Sequence, residues 1–303
     1  MTIQQATLEL TTKLQTIYEN GEAETISEWI MESLTGIKRS DRIFQKDKML
    51  NAGQELQLKQ WTERLLQYEP VQYVLNECWF CGLKFYVDKN VLIPRPETEE
   101  LVEWVVEEVK SEKTKVKEYL FSAQHTPLTT HHSALTILDV GTGSGCIPIA
   151  LKKRLPKAQV WSCDVSEGAL DVAKKNASTL GIDVNFFLLD FLNKEKRNTL
   201  PQFDIIVSNP PYIPVKDKLT MHRNVLDFEP GTALFVPDND ALVFYKAIAD
   251  FGKTHLKKEG IIYAEIHESL GKMTMDLFES NGYITTIKKD MQGKERMIRC
   301  SIS

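Results

Sequence analysis

Leu138-Asp-Val-Gly-Thr-Gly-Ser-Gly145 joins a short apolar run to three glycines, at 141, 143 and 145, and then to the helix-like stretch that begins at Cys146. Glycine is required at such a turn because a side chain would bar a ligand from close approach to the backbone. The spacing separates two kinds of site. A dinucleotide fold prefers G-x-G-x-x-G, which would put glycine at 146, whereas Cys146 stands there and the third glycine comes one place earlier. Asp164 closes the next apolar run, where a carboxylate accepts both hydroxyls of a ribose in either cofactor class. Taken alone, the same residues also describe a glycine-rich turn with an acidic helix cap beyond it.

Outward from this turn the chain alternates. Strands are predicted at 136–140, 158–163, 184–189, 204–208 and 260–265, separated by helices around 146–154, 166–180 and 240–257. Such alternation means an α/β fold with a largely parallel, doubly wound sheet. Two last strands, at 283–288 and 296–302, are joined through Asp290-Met-Gln-Gly293, which leaves no room for a crossover helix, so they must pair antiparallel.

Residues 1–75 carry helical periodicity and almost no strand signal, through Leu8, Leu10, Leu14 and Tyr18, then Ile26, Trp29, Ile30 and Leu34, then Leu56, Leu58, Trp61, Leu65 and Leu66. They predict a small helical domain, with Asn51-Ala-Gly as a break and Tyr68-Glu-Pro70 as a stop. Residues 76–95 turn aromatic and β-branched and predict a linking β-hairpin whose turn is Asp88-Lys-Asn90; residues 96–303 form the second domain. Within it, Glu97 to about Lys110 has Leu101, Val102, Val105, Val106 and Val109 on one helical face after Pro96. Residues 111–134 are polar and read as a solvated loop, and their His125, His131 and His132 have no carboxylate or thiolate nearby in sequence to make a metal site.

The 303 residues are 42% hydrophobic, enough for a sizeable core, and 37 basic against 42 acidic residues give a net charge of -5. No global positive field for nucleic acid results. No apolar run approaches a membrane span and no signal peptide is apparent, so a cytoplasmic protein is expected. The five cysteines are odd in number and scattered, which fits reduced thiols; Cys78 and Cys81 sit in a strand-like segment and read as buried or half-buried thiols.

Two segments carry further chemistry. Asp190, after the third strand, can accept from an adenine amino group while Phe191 covers the ring. Ser208-Asn-Pro-Pro-Tyr-Ile213 follows the fourth strand, and in an open parallel sheet it would lie beside the glycine turn at the strands' carboxyl ends. Two prolines freeze that backbone, holding the Asn209 side-chain oxygen and the Pro210 carbonyl as paired acceptors, with the Tyr212 ring as a stacking face. The natural guest is a planar NH2 group, whose delocalised lone pair is turned toward an electrophilic methyl when both N–H bonds are held.

These segments, together with Glu69-Pro-Val-Gln-Tyr73, Ile93-Pro-Arg-Pro-Glu-Thr-Glu99, Phe228-Glu-Pro-Gly-Thr-Ala-Leu234 and the closing Lys288-Lys-Asp-Met-Gln-Gly293, resemble the HemK/PrmC type of protein-glutamine N5-methyltransferase. The resemblance covers nearly all of residues 69–303. It implies a Rossmann-like, seven-stranded class I methyltransferase domain, a small N-terminal helical domain that helps receive the substrate, and S-adenosyl-L-methionine as methyl donor. It further implies that Gly141, Thr142, Gly143, Ser144, Gly145, Asp164, Phe191 and Asn209, with Asp190 beside them, contact the cofactor. Asn209, Pro210, Pro211 and Tyr212 would hold a glutamine of class 1 peptide-chain release factors, with Asn209, Pro210 and Tyr212 as the catalytic residues. No metal, membrane or stable nucleic-acid binding is expected. One departure is Asn76, where a glycine is expected; asparagine tolerates positive φ better than most residues. An N-methyltransferase of exocyclic base amines would use the same Asn-Pro-Pro-Tyr clamp, but it would need base flipping and usually a basic recognition region. Residues 1–75, with 8 basic and 11 acidic residues, do not supply one. A non-catalytic module of the same fold is the remaining alternative.

Overall fold

The computed structural model describes residues 1–122 and 134–302. The chain forms two compact units: residues 1–77 with 221–229, and residues 78–220 with 230–303.

The first unit is built on helices Ile3–Leu14, Asn20–Thr35, Ala52–Leu66 and Val71–Leu75. Reciprocal capping boxes start two of them, Thr2 with Gln5 and Asn51 with Gln54, satisfying backbone donors that a helix start leaves open. Their apolar faces meet in one core around Leu10, Leu14, Ile26, Ile30 and Leu65. Each such side chain contributes about 1.5–3 kcal/mol when fully buried. Asn76 caps the last helix at φ 52°, the left-handed conformation for which asparagine substitutes for glycine.

The second unit opens with a hairpin of β1 (Cys78–Phe80) and β2 (Leu83–Phe85). Its turn is Cys81-Gly82, both at positive φ, as a two-residue hairpin demands. The turn predicted at Asp88-Lys-Asn90 does form, closed by Val91 N–H donating to the Asp88 carbonyl (3.1 Å), but it follows the hairpin instead of making it. Cys78 is buried and Cys81 half-buried.

The helix starting at Pro96 continues to Ser122, past the expected end near Lys110. Ser111-Glu-Lys-Thr-Lys-Val-Lys-Glu contains no glycine or proline to stop it, and polarity alone does not end a helix. The three histidines of the predicted loop lie outside the described residues.

Then come β3 (Thr136–Val140), β4 (Gln159–Asp164), β5 (Asn185–Leu188), β6 (Phe203–Ser208), the two-residue β7 (Ile213–Pro214) and β8 (Phe235–Val236), β9 (Leu256–Glu265), β10 (Tyr283–Lys289) and β11 (Glu295–Ile302). Seven of them form one sheet in the order β10-β11-β9-β6-β3-β4-β5. Strands β9, β6, β3, β4 and β5 run parallel, and β11 and β10 close the sheet antiparallel. The sequence reading recovers this layout but not the helix Gly271–Ser280 between β9 and β10. Its buried residues are Gly271, Thr274 and Phe278, two of them not apolar markers, so the periodicity is faint.

Strand β3 lies inside the sheet, paired with β4 on one side and β6 on the other, which makes it the switch point of the winding. Val140 is in register with Ser208, and the Ser208 hydroxyl donates to the Val140 carbonyl at 2.7 Å. The glycine turn and the Asn209 segment therefore leave the sheet side by side.

Candidate active site

The glycine turn is shaped by backbone hydrogen bonds. The Gly141 and Thr142 amides both donate to the Cys163 carbonyl, at 2.9 and 3.0 Å, and the Gly145 amide donates to the Thr142 carbonyl at 2.8 Å. Gly141, Gly143 and Gly145 all have positive φ. A Cβ on Gly145 would meet Ala173 Cβ at 3.1 Å and its Cα at 3.2 Å, so this glycine permits helix-to-helix approach. A Cβ on Gly141 or Gly143 would meet nothing within 4 Å, so these two face open space.

That space is a cavity lined by Pro94, Thr98, Gly141, Gly143 and Asn209, among others. Asp139 Oδ1, Thr142 Oγ1 and Ser144 Oγ are buried at the turn without a hydrogen-bond partner among the described residues. Burial pushes the Asp139 carboxyl up to about 7, against the bond that Ser162 donates to its other oxygen at 2.6 Å. Open glycines beside unsatisfied buried oxygens fit a ligand that carries hydroxyl and amino groups.

Asp164, at the end of β4, accepts from the Gly143 amide through Oδ2 and from the Ser166 amide through Oδ1, both at 2.9 Å. The cap of the next helix is Ser166, whose hydroxyl accepts from Ala169 N–H, so Asp164 is not that helix cap. Its carboxylate is instead tied to the glycine turn, and each oxygen keeps a lone pair for a hydroxyl. Asp190 is exposed and accepts from the Leu192 amide at 2.9 Å. The Phe191 side chain is directed into the core, edge-on to Phe251 at 5.2 Å, and is 4% exposed. Phe191 therefore offers little ring face to a ligand in this arrangement.

At the end of β6, Asn209 Nδ2 donates to Thr98 Oγ1 at 3.0 Å. The Thr98 hydroxyl in turn donates to Glu265 Oε2 at 2.6 Å, and the Tyr212 hydroxyl donates to Glu265 Oε1 at 3.2 Å. The Tyr212 ring also lies against His267, with centroids 5.6 Å apart. Burial, then the neighbouring Glu265 charge, pushes the Tyr212 phenol well above its usual range. Glu265 is itself raised by burial, opposed by the Thr98 hydrogen bond and the Arg296 charge. Pro210 is buried, and Pro211 and Tyr212 are half-buried.

Three residues of this arrangement escape the sequence reading. Thr98 lies in the Pro94-to-Glu99 run but signals only a helix start; Glu265 ends an apolar strand and signals nothing. Asn176 is the third: its side chain donates to the Ser144 and Tyr86 carbonyls, both at 2.9 Å, and accepts from Tyr86 N–H at 2.7 Å, tying the glycine turn to the segment after the hairpin. Glu97, beside Thr98, accepts from Gln292 Nε2 at 3.3 Å on the surface.

A doubly wound sheet of seven strands, ended by an antiparallel pair and bearing a glycine turn and an Asn-Pro-Pro-Tyr segment at its switch point, defines a class I S-adenosylmethionine-dependent methyltransferase. Residues 124–227 match the Methyltransferase small domain, and residues 5–75 match the PrmC N-terminal domain. The chain belongs to the release factor glutamine methyltransferase family. It is 43% identical over 293 residues to the release factor glutamine methyltransferase of Flavobacterium psychrophilum, covering 94% of each chain. It is 39% identical over 286 residues to that of Bacteroides thetaiotaomicron, covering 94% of this chain and 95% of the relative. Among solved structures, the hMettl16 catalytic domain in complex with a MAT2A 3'UTR hairpin superposes with a TM-score of 0.51 at 14% identity, over 84% of this chain and 83% of that one. That likeness shows the fold alone. The methyl donor of the family is S-adenosylmethionine, and the open glycines and unsatisfied oxygens at the turn fit it. No helix among the described residues is long and apolar enough to cross a membrane.

Proposed function

We propose that this protein transfers a methyl group to the side-chain amide nitrogen, N5, of the glutamine in the Gly-Gly-Gln motif of class 1 peptide-chain release factors. The observation that carries the reading is the Asn209 side chain, whose NH2 donates to Thr98 and so leaves its oxygen as the end that faces a substrate amide in this reading. The names of the relatives supply the substrate class.

In this reading the Gly141–Gly145 turn, Asp164 and Asp190 hold the cofactor, with Asp164 accepting ribose hydroxyls, and the bound cofactor supplies an electrophilic methyl group. Asn209 Oδ1 and the Pro210 carbonyl accept the two N–H bonds of the substrate amide, with Tyr212 bounding the slot. Holding both N–H bonds fixes the orientation of the NH2 group and so turns its lone pair toward the methyl. The same oxygens stabilise the positive charge that grows on nitrogen, so no strong base is needed before transfer and the proton leaves afterwards to water. Residues 1–75 act as the domain that receives the release factor, residues 76–95 as the linker and residues 96–303 as the transferring domain. The reaction takes place in the cytoplasm, where release factors work.

The test offers labelled S-adenosylmethionine together with a purified release factor, with the same factor carrying Gln→Ala in its Gly-Gly-Gln motif, and with DNA and RNA. Label on the unaltered factor alone is expected. Label on nucleic acid and none on the factor would replace this reading with base methylation.

A further inference from the structure

We propose that Glu265 is a positioning residue that sets which end of the Asn209 amide faces the substrate, acting through Thr98. The inference rests on the function proposed above for Asn209, and its chain of reasoning is one of proton inventory.

An ionised carboxylate only accepts hydrogen bonds, and a hydroxyl donor at each oxygen together with the Arg296 charge favours that form of Glu265 against its burial. Glu265 is 2% exposed and sits at the last position of β9, where the Tyr245 hydroxyl donates to its backbone carbonyl at 2.9 Å and pins the strand end. Each of its two oxygens receives one hydroxyl, from Thr98 at 2.6 Å and from Tyr212 at 3.2 Å. The first distance is that of a charge-assisted bond. A threonine hydroxyl has a single proton, and here that proton is committed to Glu265. Thr98 Oγ1 can therefore only accept from its other neighbour, so the Asn209 atom 3.0 Å away must be the NH2. The amide oxygen is left on the other side. Rotating the amide by half a turn would set two acceptors against each other at 3.0 Å.

The three residues come from separate parts of one unit: the first turn of the helix Pro96–Ser122, the end of β6 and the end of β9. Thr98 is 2% exposed, so water does not compete readily for its hydroxyl. One carboxylate thus fixes the amide and, through its second oxygen, the phenol of Tyr212. Both sides of the acceptor slot are set before substrate arrives.

Four variants test this: Thr98→Val, which keeps the shape and deletes the hydroxyl; Thr98→Ser, which restores it; Glu265→Gln; and the double variant Thr98→Val with Glu265→Gln, compared with each single change. Two readouts are taken from each protein. The first is the 15N-resolved side-chain NH2 of Asn209, followed by amide hydrogen exchange without any substrate. The second is kcat and KM for methyl transfer to the release factor. The relay predicts a slowly exchanging Asn209 NH2 in the unaltered protein and in Thr98→Ser, and fast exchange in Thr98→Val. It predicts a fall in kcat of about tenfold or more in Thr98→Val with KM for the cofactor nearly unchanged, rescue by Thr98→Ser, and no tenfold compounding in the double variant beyond the worse single one. Equal exchange rates in Thr98→Val and the unaltered protein, or losses that compound in full in the double variant, would overturn it. If the unaltered protein fails to methylate the release factor, the substrate assignment falls while the exchange data still decide the relay.

Discussion

Between Gly141 and Gly145 the backbone itself makes the site, whereas from Asn209 to Tyr212 side chains make it, and their partners Thr98 and Glu265 lie 111 and 53 positions away in sequence. Both regions follow the carboxyl ends of neighbouring parallel strands. The turn achieves its form by left-handed residues and by amide-to-carbonyl bonds, one local, from Gly145 to Thr142, and two to Cys163 on the neighbouring strand β4. The clamp achieves its form only after β6, β9 and the helix Pro96–Ser122 have packed. The turn takes its shape from its own glycines and the adjacent strand β4, whereas the clamp draws its side chains from three elements far apart in sequence.

That contrast separates binding from turnover, and the variants that break it should do so unequally. The largest effect is expected from Asn209→Ala, which removes the amide oxygen from the acceptor pair. Methyl transfer should fall by about 10²–10³-fold, the usual cost of deleting one group that stabilises developing charge. The melting temperature should barely move, since Asn209 is only half-buried. Steady-state kinetics beside a thermal melt checks both.

Asp164→Ala acts on the other region. It deletes the acceptor for the Gly143 and Ser166 amides and the proposed ribose contact. Charge-assisted bonds of this kind contribute about 1.5–3 kcal/mol, which corresponds to a roughly 10- to 150-fold loss of cofactor affinity. Calorimetric titration with S-adenosylmethionine reads it directly, and an unchanged affinity would remove Asp164 from the cofactor site.

The smallest effect sharpens the electrostatics beneath the turn. The Asp139 carboxyl is raised from its ordinary 3.8 to about 7 by burial, so the folded state holds its proton more tightly than the unfolded chain does. The stability this contributes is fully present below about pH 3.8 and is lost as pH rises through about 7. Asp139→Asn should therefore flatten that part of the melting profile between those limits. A profile that keeps the same slope would show that Asp139 is not its source.

How much of this was legible follows from the same contrast. The glycine spacing, Asp164 at a strand end and the Asn-Pro-Pro-Tyr segment are contiguous patterns, and the helices between β3 and β4, β4 and β5, and β6 and β9 are periodic enough to be read. Asn76 stands where a glycine is expected, and its φ of 52° is one that asparagine tolerates. The hairpin turn was misplaced because Asp88-Lys-Asn90 carries stronger turn residues than Cys81-Gly82. The extension of the helix to Ser122 was hidden by its polarity, and the helix Gly271–Ser280 by a buried face that includes glycine and threonine. The relay of Thr98 and Glu265 could not be read at all, since nothing in a one-dimensional pattern pairs residues 98, 209 and 265. Phe191 shows the reverse case: its place after Asp190 suggested a ring cover, and packing on Phe251 turned the ring inward.

The most direct test of this division measures S-adenosylmethionine affinity and, at saturating cofactor, the rate of methyl transfer to a release factor for Asp164→Ala and Asn209→Ala side by side. The account predicts a crossing pattern: Asp164→Ala loses affinity and recovers most of its rate at saturation, while Asn209→Ala loses less affinity and stays slow however much cofactor is supplied. Loss of the same parameter in both variants would contradict it.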